Sequence, residues 1–287
     1  MRSVRRWRMH AAVALALSLA AMGCARRRPG PVLAPGSSTE TMQAGGRARA
    51  YVLHVPPRYS PAAPAALLLV LHGFGGNGLQ MEDGTKLSAL ADTANVIVLY
   101  PDGLRNYGFA GPRHWATVGD DTDIEYLRAL IEAALRRFRI DSQRVYVAGF
   151  SNGATMTYRA GAELSDRIAA IGLVAGSADR LRPNGTPAAL RAALRPISVV
   201  AMHGVLDDRV PYSRGASRTF ADAMAYWRAR DECLAPAERQ TSHEGNLVAE
   251  RSSGCAGGTE LLYYTVVDGH HTWFTPQPDA AHAISST

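Results

Sequence analysis

A serine stands between two glycines at the point where a hydrophobic segment gives way to a helix-forming one. The stretch VYVAGFSNGATM contains Gly149-Phe150-Ser151-Asn152-Gly153, which is a G-x-S-x-G motif. In a tight strand-to-helix turn, side chains two positions before and two positions after the serine would collide, which explains glycine at both. Such a turn holds the hydroxyl clear of the sheet. We predict that Ser151 is a nucleophile; the alternative is a serine that only caps a helix.

A serine nucleophile needs a base, and the base needs an acid that orients it, each placed after a strand. After the apolar run ISVVAM come two acids, Asp207 and Asp208, of which Asp207 is the first choice. After LLYYTVV come two histidines, His270 and His271, and at this stage either could reach the serine. A metal site is not expected there, because adjacent histidines on a loop rarely converge on one ion. The chemistry needs no metal or organic cofactor.

Attack on a carbonyl also requires hydrogen-bond donors for the oxyanion that forms. The backbone N–H of Asn152, directly after the serine, is one candidate. The other is the N–H of Phe74, in the glycine-rich bend LHGFGGNG that follows an early apolar strand. We expect His72, just before this bend, to have a structural role.

The rest of the chain alternates strand patterns with helix patterns from Arg47 onward. AALLLVLHG and VIVLYP are continuous apolar runs of the kind found in strands buried on both faces. Amphipathic segments such as DDTDIEYLRALIEAALRRF lie between them. This alternation predicts an α/β fold with a mostly parallel central sheet and helices on both faces.

The N-terminus has the pattern of an export signal. Four arginines precede the apolar stretch AAVALALSLAAMGC, which is too short for a permanent membrane span. We expect residues 1–23 to be a signal of the lipoprotein type with lipid on Cys24, residues 24–46 a flexible tether, and residues 47–287 the catalytic domain; an ordinary secretory signal is the alternative. The protein would then be secreted or lipid-anchored to the bacterial cell envelope.

The net formal charge is +6, but the four signal arginines supply most of it. The remainder is close to neutral and has no basic stripe with interleaved aromatic residues, so we expect no nucleic-acid partner. In an oxidising compartment the two remaining cysteines, Cys233 and Cys255, should form a disulfide. The segment between them has too few soft ligands for a metal site.

Several segments together resemble the secreted polyhydroxybutyrate depolymerases and feruloyl or acetylxylan esterases, a family of α/β-hydrolases that includes bacterial lipoproteins. The matching pieces include LLLVLHGFGGN, VIVLYPDG, RVYVAGFSNGATMTYRAG, MHGVLDDRVPY and GHHTW, and they extend over roughly residues 47–275. The resemblance implies a triad of Ser151, Asp207 and His271. It thereby favours His271 over His270.

The expected function is hydrolysis of carboxylic esters, of the feruloyl, acetyl-polysaccharide or short polyhydroxyalkanoate type, outside the cytoplasm. Trp273, Tyr212 and Trp115 are candidates for lining an aromatic-friendly cleft, with ordinary packing as the alternative. Two other functions remain open. One is a peptidase or another acyl hydrolase that uses the same triad, and the other is an inactive envelope protein that only binds its ligand.

Overall fold

The computed structural model describes residues 34–105, 111–117, 119–177, 195–213 and 219–274. In these ranges strands alternate with helices, as the hydrophobic pattern predicts. The strands are β1 (Gly36–Ala44), β2 (Arg47–Val55), β3 (Ala65–Leu71), β4 (Val96–Pro101), β5 (Leu104–Arg105), β6 (Arg113–His114), β7 (Ile140–Phe150), β8 (Ala170–Val174), β9 (Ser198–Gly204), β10 (Glu238–Ser242), β11 (Leu247–Ser252) and β12 (Leu261–Val266). The helices are α1 (Gly78–Thr85), α2 (Leu87–Ala94), α3 (Thr122–Arg137), α4 (Asn152–Glu163) and α5 (Thr219–Arg230).

Ten of these strands form one sheet in the order β1-β2-β4-β3-β7-β8-β9-β12-β11-β10. The six from β4 to β12 run parallel to one another, and an antiparallel strand pair extends the sheet at each edge. The mostly parallel sheet predicted from the sequence is confirmed. Because the carboxyl ends of parallel strands meet at one edge, the loops after β3, β7, β9 and β12 gather there.

The central strands bury side chains on both faces, which explains their continuous apolar sequence. In β3, Leu67, Leu69 and Leu71 join a large core cluster that also contains residues of α3, α4 and α5. The alternate position Val70 joins a second cluster with residues of α1 and α2. Helices therefore cover both faces, as expected. Within the ranges given above, no helix is both long and apolar enough to cross a bilayer.

The N-terminal boundary predicted for the folded domain is wrong. The range 24–46 was expected to be a flexible tether, yet Gly36–Ala44 forms β1 and pairs with β2 along its full length. The two-residue turn between them is Gly45-Gly46, and both glycines have positive φ, as a tight hairpin turn requires. The strand is mostly exposed and rich in Ser and Thr, so its composition resembles that of a linker. The expected signal segment and Cys24 lie outside the described residues.

The hairpin β10–β11 is a second element that the sequence patterns did not predict. It lies between Cys233, just after α5, and Cys255, and these two cysteines form the expected disulfide. The bridge therefore joins the end of α5 to the segment that leads into β12, the strand that precedes His271.

Candidate active site

Ser151 occupies a strained turn between β7 and α4. Its φ of 54° and ψ of −118° lie in a region that side-chain-bearing residues rarely adopt, and such strain is typical of functional sites. A Cβ atom at Gly149 would lie 2.4 Å from the carbonyl oxygen of Gly153. A Cβ at Gly153 would lie 2.3 Å from the carbonyl oxygen of Leu71. Only glycine fits at either position, so the steric argument made from the motif holds, and the second clash involves β3 rather than the turn itself.

Three side chains from separate loops meet at this turn. The His271 Nε2 atom lies 3.0 Å from Ser151 Oγ, and His271 Nδ1 lies 2.8 Å from Asp207 Oδ2. The Asp207 carboxylate can only accept, so Nδ1 carries the proton and Nε2 is left to accept from the serine hydroxyl. This is the arrangement needed for a base that removes the hydroxyl proton. His270, the other candidate, is exposed.

The Asp207 carboxylate is fixed by its own loop. Its side chain is fully buried, and Oδ1 accepts backbone N–H bonds from Arg209 at 2.9 Å and from Val210 at 2.8 Å. With Oδ1 occupied, Oδ2 is the oxygen that faces His271. The sequence could not show which oxygen faces the imidazole, because the turn that fixes it becomes visible only in the structure.

A second histidine lies behind the acid and was given no role from the sequence. The His203 Nε2 atom donates to the carbonyl oxygen of Val210 at 2.8 Å and lies 3.3 Å from Asp207 Oδ2. The ring is 1% exposed, and burial lowers the pKa of its imidazole. A neutral His203 therefore supports the Asp207 loop through Val210 and lies near the same carboxylate oxygen as His271. The HGVLDD segment contained the signal, but nothing in it distinguished a supporting histidine from a catalytic one.

The loops that carry the acid and the histidine touch through two glycines. A Cβ at Gly204, the last residue of β9, would lie 2.1 Å from the carbonyl oxygen of Gly269. That same oxygen accepts a hydrogen bond from the Leu206 N–H at 2.9 Å. This close backbone approach brings Asp207 and His271 together. Neither glycine was assigned a role from the sequence, although each stands two residues after a predicted strand.

The two residues expected to supply oxyanion donors line the same cleft as Ser151. Asn152 begins α4, and Phe74 lies in the bend after β3. In this bend the N–H of Gly75 donates to Arg113 and the N–H of Gly76 donates to Gly73. Across the part of the chain that the structure describes, the N–H groups of Phe74 and Asn152 have no protein acceptor. Both groups are therefore available to an incoming oxyanion.

His72 holds the glycine-rich bend of residues 71–78, as expected. We name it the oxyanion bend after the role expected of it. Its Nδ1 donates to the carbonyl oxygen of Gly73 at 2.7 Å, and its Nε2 accepts the N–H of Gly103 at 2.9 Å. Burial lowers the pKa of this imidazole, which agrees with a neutral ring that both donates and accepts. His72 thus connects the bend to the segment after β4.

A cleft of about 490 Å³ opens over the serine. It is lined by residues of the oxyanion bend, the β7–α4 turn, the loop after β8 and the Asp207 loop: Gly73, Phe74, Phe150, Ser151, Asn152, Thr155, Ser177, Arg209, Val210 and His271. Arg209 is an exposed cation on its wall. In the described ranges, no group of three or more His, Cys, Asp or Glu side chains is arranged to hold a metal ion.

The three aromatic residues expected to line the cleft are not among its lining residues. Trp115 is 1% exposed; its indole N–H donates to the carbonyl oxygen of His72 at 2.9 Å, and its backbone N–H donates to Asn152 Oδ1 at 2.8 Å. Tyr212 packs against the buried ring of His203, and Trp273 packs against the apolar cluster behind Phe150. All three have the packing role that was the alternative. Trp115 ties the oxyanion bend to the start of α4.

Comparisons with known proteins match this chain to esterases. A family model described as Esterase PHB depolymerase matches residues 49–180. The putative esterase NocK of Nocardia uniformis subsp. tsuyamanensis is 32% identical over 273 residues, which cover 85% of this chain and 76% of that protein. Feruloyl esterase B of Piromyces equi is 28% identical over 238 residues, which cover 78% of this chain but only 42% of the fungal protein.

Solved structures share the fold at lower identity. An acetyl xylan esterase from Aspergillus awamori superposes with a TM-score of 0.66 at 14% identity, covering 82% of this chain and 94% of that one. A ferulic acid esterase from Anaeromyces mucronatus superposes with a TM-score of 0.57 at 16% identity, covering 85% and 87%. The architecture is therefore that of an α/β-hydrolase.

Proposed function

Because this chain belongs to the Esterase PHB depolymerase family, whose members are carboxylic ester hydrolases, we propose that it is a serine esterase that works through Ser151, His271 and Asp207. The observation that carries the proposal is the unbroken line of hydrogen bonds from Ser151 Oγ through the His271 ring to Asp207. The substrate class is an ester of an aromatic or short acyl group, of the feruloyl, acetyl-polysaccharide or hydroxyalkanoate kind.

The reaction proceeds through an acyl-enzyme. Ser151 Oγ attacks the ester carbonyl while His271 Nε2 takes the hydroxyl proton, and the carbonyl oxygen becomes an oxyanion. The N–H groups of Phe74 and Asn152 stabilise that oxyanion. His271 then gives its proton to the departing alkoxide, which leaves as an alcohol. A water molecule, deprotonated by His271, attacks the acyl-serine and releases the acid, and the proton returns to Ser151.

We further propose that the protein lies outside the cytoplasm and is anchored by lipid on Cys24. The signal-like N-terminus supports this, and so does the Cys233–Cys255 disulfide, since such bonds persist in oxidising compartments. We expect the wild-type protein in the membrane fraction of expressing bacteria and a Cys24→Ser variant in the soluble fraction. Equal distribution of the two would contradict the anchor and leave the esterase assignment untouched.

The direct test of the chemistry is Ser151→Ala. Hydrolysis of 4-nitrophenyl acetate should fall on the order of 10⁴-fold or more, and labelling by a fluorophosphonate should disappear. Ser142→Ala is a matched control, because Ser142 is an exposed serine at the opposite end of β7. Full turnover in Ser151→Ala, or loss of turnover in the control, would refute the assignment.

A substrate panel then separates an esterase from other acyl hydrolases. Methyl ferulate, acetylated xylan and hydroxybutyrate oligomers are compared with a peptide anilide at equal enzyme concentration. We expect turnover of one or more esters and little of the anilide. Preferential cleavage of the anilide would identify a peptidase, and labelling of Ser151 without any turnover would point to a binding protein.

A further inference from the structure

A second cavity, of about 660 Å³, opens beside the catalytic cleft. It is lined by the start of β2 and by the segments around β5 and β6: Arg47, Ala48, Arg49, Ala50, Asp102, Gly103, Leu104, Arg105 and Arg113. Asp102 directly follows β4, which is parallel to β3, and β3 is parallel to β7. The cavity therefore lies at the same edge of the sheet as Ser151, which follows β7. We call it the arginine groove.

The charge of the arginine groove is strongly unbalanced. Four arginines line it, of which Arg113 is paired with Asp102 at 3.1 Å and Arg49 with Asp123. Arg47 and Arg105 are exposed, and neither forms a salt bridge with a described residue. Arg105 donates only to the carbonyl oxygen of Gly111. Arg47 is also attracted by the exposed Asp120 carboxylate without forming a salt bridge to it, so both guanidinium groups can still pair with a ligand.

Arg49, a further lining residue, is paired with a carboxylate outside the groove. It is 2% exposed, and its Nη2 atom donates both to Asp123 and to the carbonyl oxygen of Asp102. Its Nη1 atom has no hydrogen-bond partner among the described residues. The Asp123 carboxylate balances the charge of Arg49, and the guanidinium lies 4.0 Å from the centroid of the Tyr126 ring. Arg47 and Arg105 are therefore the arginines left to bind an anion. Arginine also suits carboxylates, because its planar fork matches their two oxygens.

The walls of the groove hold the oxyanion bend directly. The carbonyl oxygen of Arg113 accepts the N–H of Gly75 at 2.8 Å, and Asp102 Oδ1 accepts the N–H of Gly78 at 2.7 Å. One side of the bend that presents the Phe74 N–H therefore faces the catalytic cleft, and the other side is bonded to the groove. The bend therefore contacts lining residues of the groove and itself lines the cleft.

We propose that the arginine groove is a subsite for carboxylate groups on the polymer that carries the ester, such as the uronic acid units of an acidic polysaccharide. The apolar surface of Ala48, Ala50 and Leu104 suits the faces of sugar rings, while the guanidinium groups bind the carboxylates. The link to an ester-bearing polymer rests on the proposed function, but binding of the carboxylate does not.

The test measures binding without catalysis. The full-length wild-type protein is titrated calorimetrically with the trisaccharide of galacturonic acid and, separately, with the uncharged trisaccharide of galactose. The groove variant is Arg47→Gln/Arg105→Gln. The control is Arg136→Gln/Arg239→Gln, which removes the same charge at two exposed arginines on α3 and β10. Thermal unfolding checks that both variants are folded.

We expect the acidic trisaccharide to bind and its neutral counterpart to bind far more weakly. The groove variant should bind the acidic sugar at least about fivefold more weakly than wild type, since two modest charge contacts are lost, while the control changes less than about twofold. Raising the salt concentration from about 20 mM to about 200 mM should weaken wild-type binding, because the Debye length shortens.

Equal affinity in the groove and control variants would overturn the proposal, as would equal affinity for the two sugars or no binding to the wild type. If Arg47 and Arg105 were required for binding to phosphatidylglycerol vesicles but not to the acidic sugar, the groove would be a membrane contact and the carboxylate assignment would be wrong. None of these results depends on turnover, so each is distinct from a failure of the esterase assignment.

Discussion

Replacing Asp207 by Asn tests the triad more sharply than removing the serine. The two backbone N–H groups of Arg209 and Val210 both point at Oδ1, so the carbonyl oxygen of the new amide must occupy that position. The NH₂ group is then forced to the Oδ2 position, which faces His271 Nδ1 at 2.8 Å. An amide N–H there donates to Nδ1, and the imidazole proton must move to Nε2.

With its proton on Nε2, His271 donates to Ser151 instead of accepting from it. The base is lost although every heavy atom stays in place. When a triad aspartate is replaced by asparagine and the wrong tautomer results, kcat falls about 10⁴-fold. A loss of that size corresponds to about 5.4 kcal/mol of transition-state stabilisation. We expect a loss of this order in kcat with KM nearly unchanged, because Asp207 does not line the cleft.

The assay compares kcat and KM on 4-nitrophenyl acetate for Asp207→Asn, Asp208→Asn and wild type. Asp208 is the adjacent, exposed acid, so Asp208→Asn makes the same chemical change one residue away. Turnover of Asp207→Asn within about tenfold of wild type would refute the tautomer argument, since no base-deficient triad retains that activity. A comparable loss in Asp208→Asn would show that the loop, and not the tautomer, is responsible.

Three further predictions concern the surroundings of the triad. A Cβ at Gly73 would lie 3.1 Å from the Phe150 ring, so Gly73→Val should displace the oxyanion bend and lower kcat about 10-fold to 1,000-fold with a smaller change in KM; unchanged kcat would contradict the oxyanion assignment. Replacing Cys233 and Cys255 by Ser should reduce the free energy of unfolding in urea by about 2–4 kcal/mol, and an unchanged urea midpoint would count against a stabilising bridge. Burial lowers the pKa of His203, so below its ordinary value of about 6.5 the unfolded chain binds a proton that the folded protein does not. The free energy of unfolding should therefore fall as the pH drops from about 6.5 through the folded pKa, and by less in His203→Gln; an equal decline in both proteins would show that another group is responsible.

The residues of the proposed triad could be predicted from the sequence because each of them belongs to a local pattern. Gly149 and Gly153 bracket Ser151 for a steric reason; the clash at Gly149 arises within the motif, whereas the clash at Gly153 is with Leu71 of β3. Asp207 and His271 each follow a buried strand, and the edge at which parallel strands end is known once the strands are identified. The choice between His270 and His271 came from the family resemblance, and the structure brings His271, not His270, to the serine.

Features that depend on exposed strands or on long-range packing were not predictable in the same way. The edge strand β1 buries few side chains, so it has no apolar alternation to reveal it, and only the Gly45-Gly46 pair marks the hairpin. The prediction that three aromatic residues line the cleft was wrong for a different reason. A tryptophan near the site in sequence, such as Trp115, can face the cleft or the core, and its orientation is set by partners far along the chain.

Trp115 and Arg113 show that the placement of the oxyanion donors depends on a segment without any catalytic motif. The carbonyl oxygen of Arg113 holds the Gly75 N–H, and two residues later Trp115 donates to His72 and to the side chain of Asn152. Residues 113–115 therefore contact both the oxyanion bend and Asn152 at the start of α4. Of these three residues, Arg113 also lines the arginine groove. Arg113 therefore contacts the backbone next to Phe74 through Gly75 and also lines the groove, so its position bears on both sites.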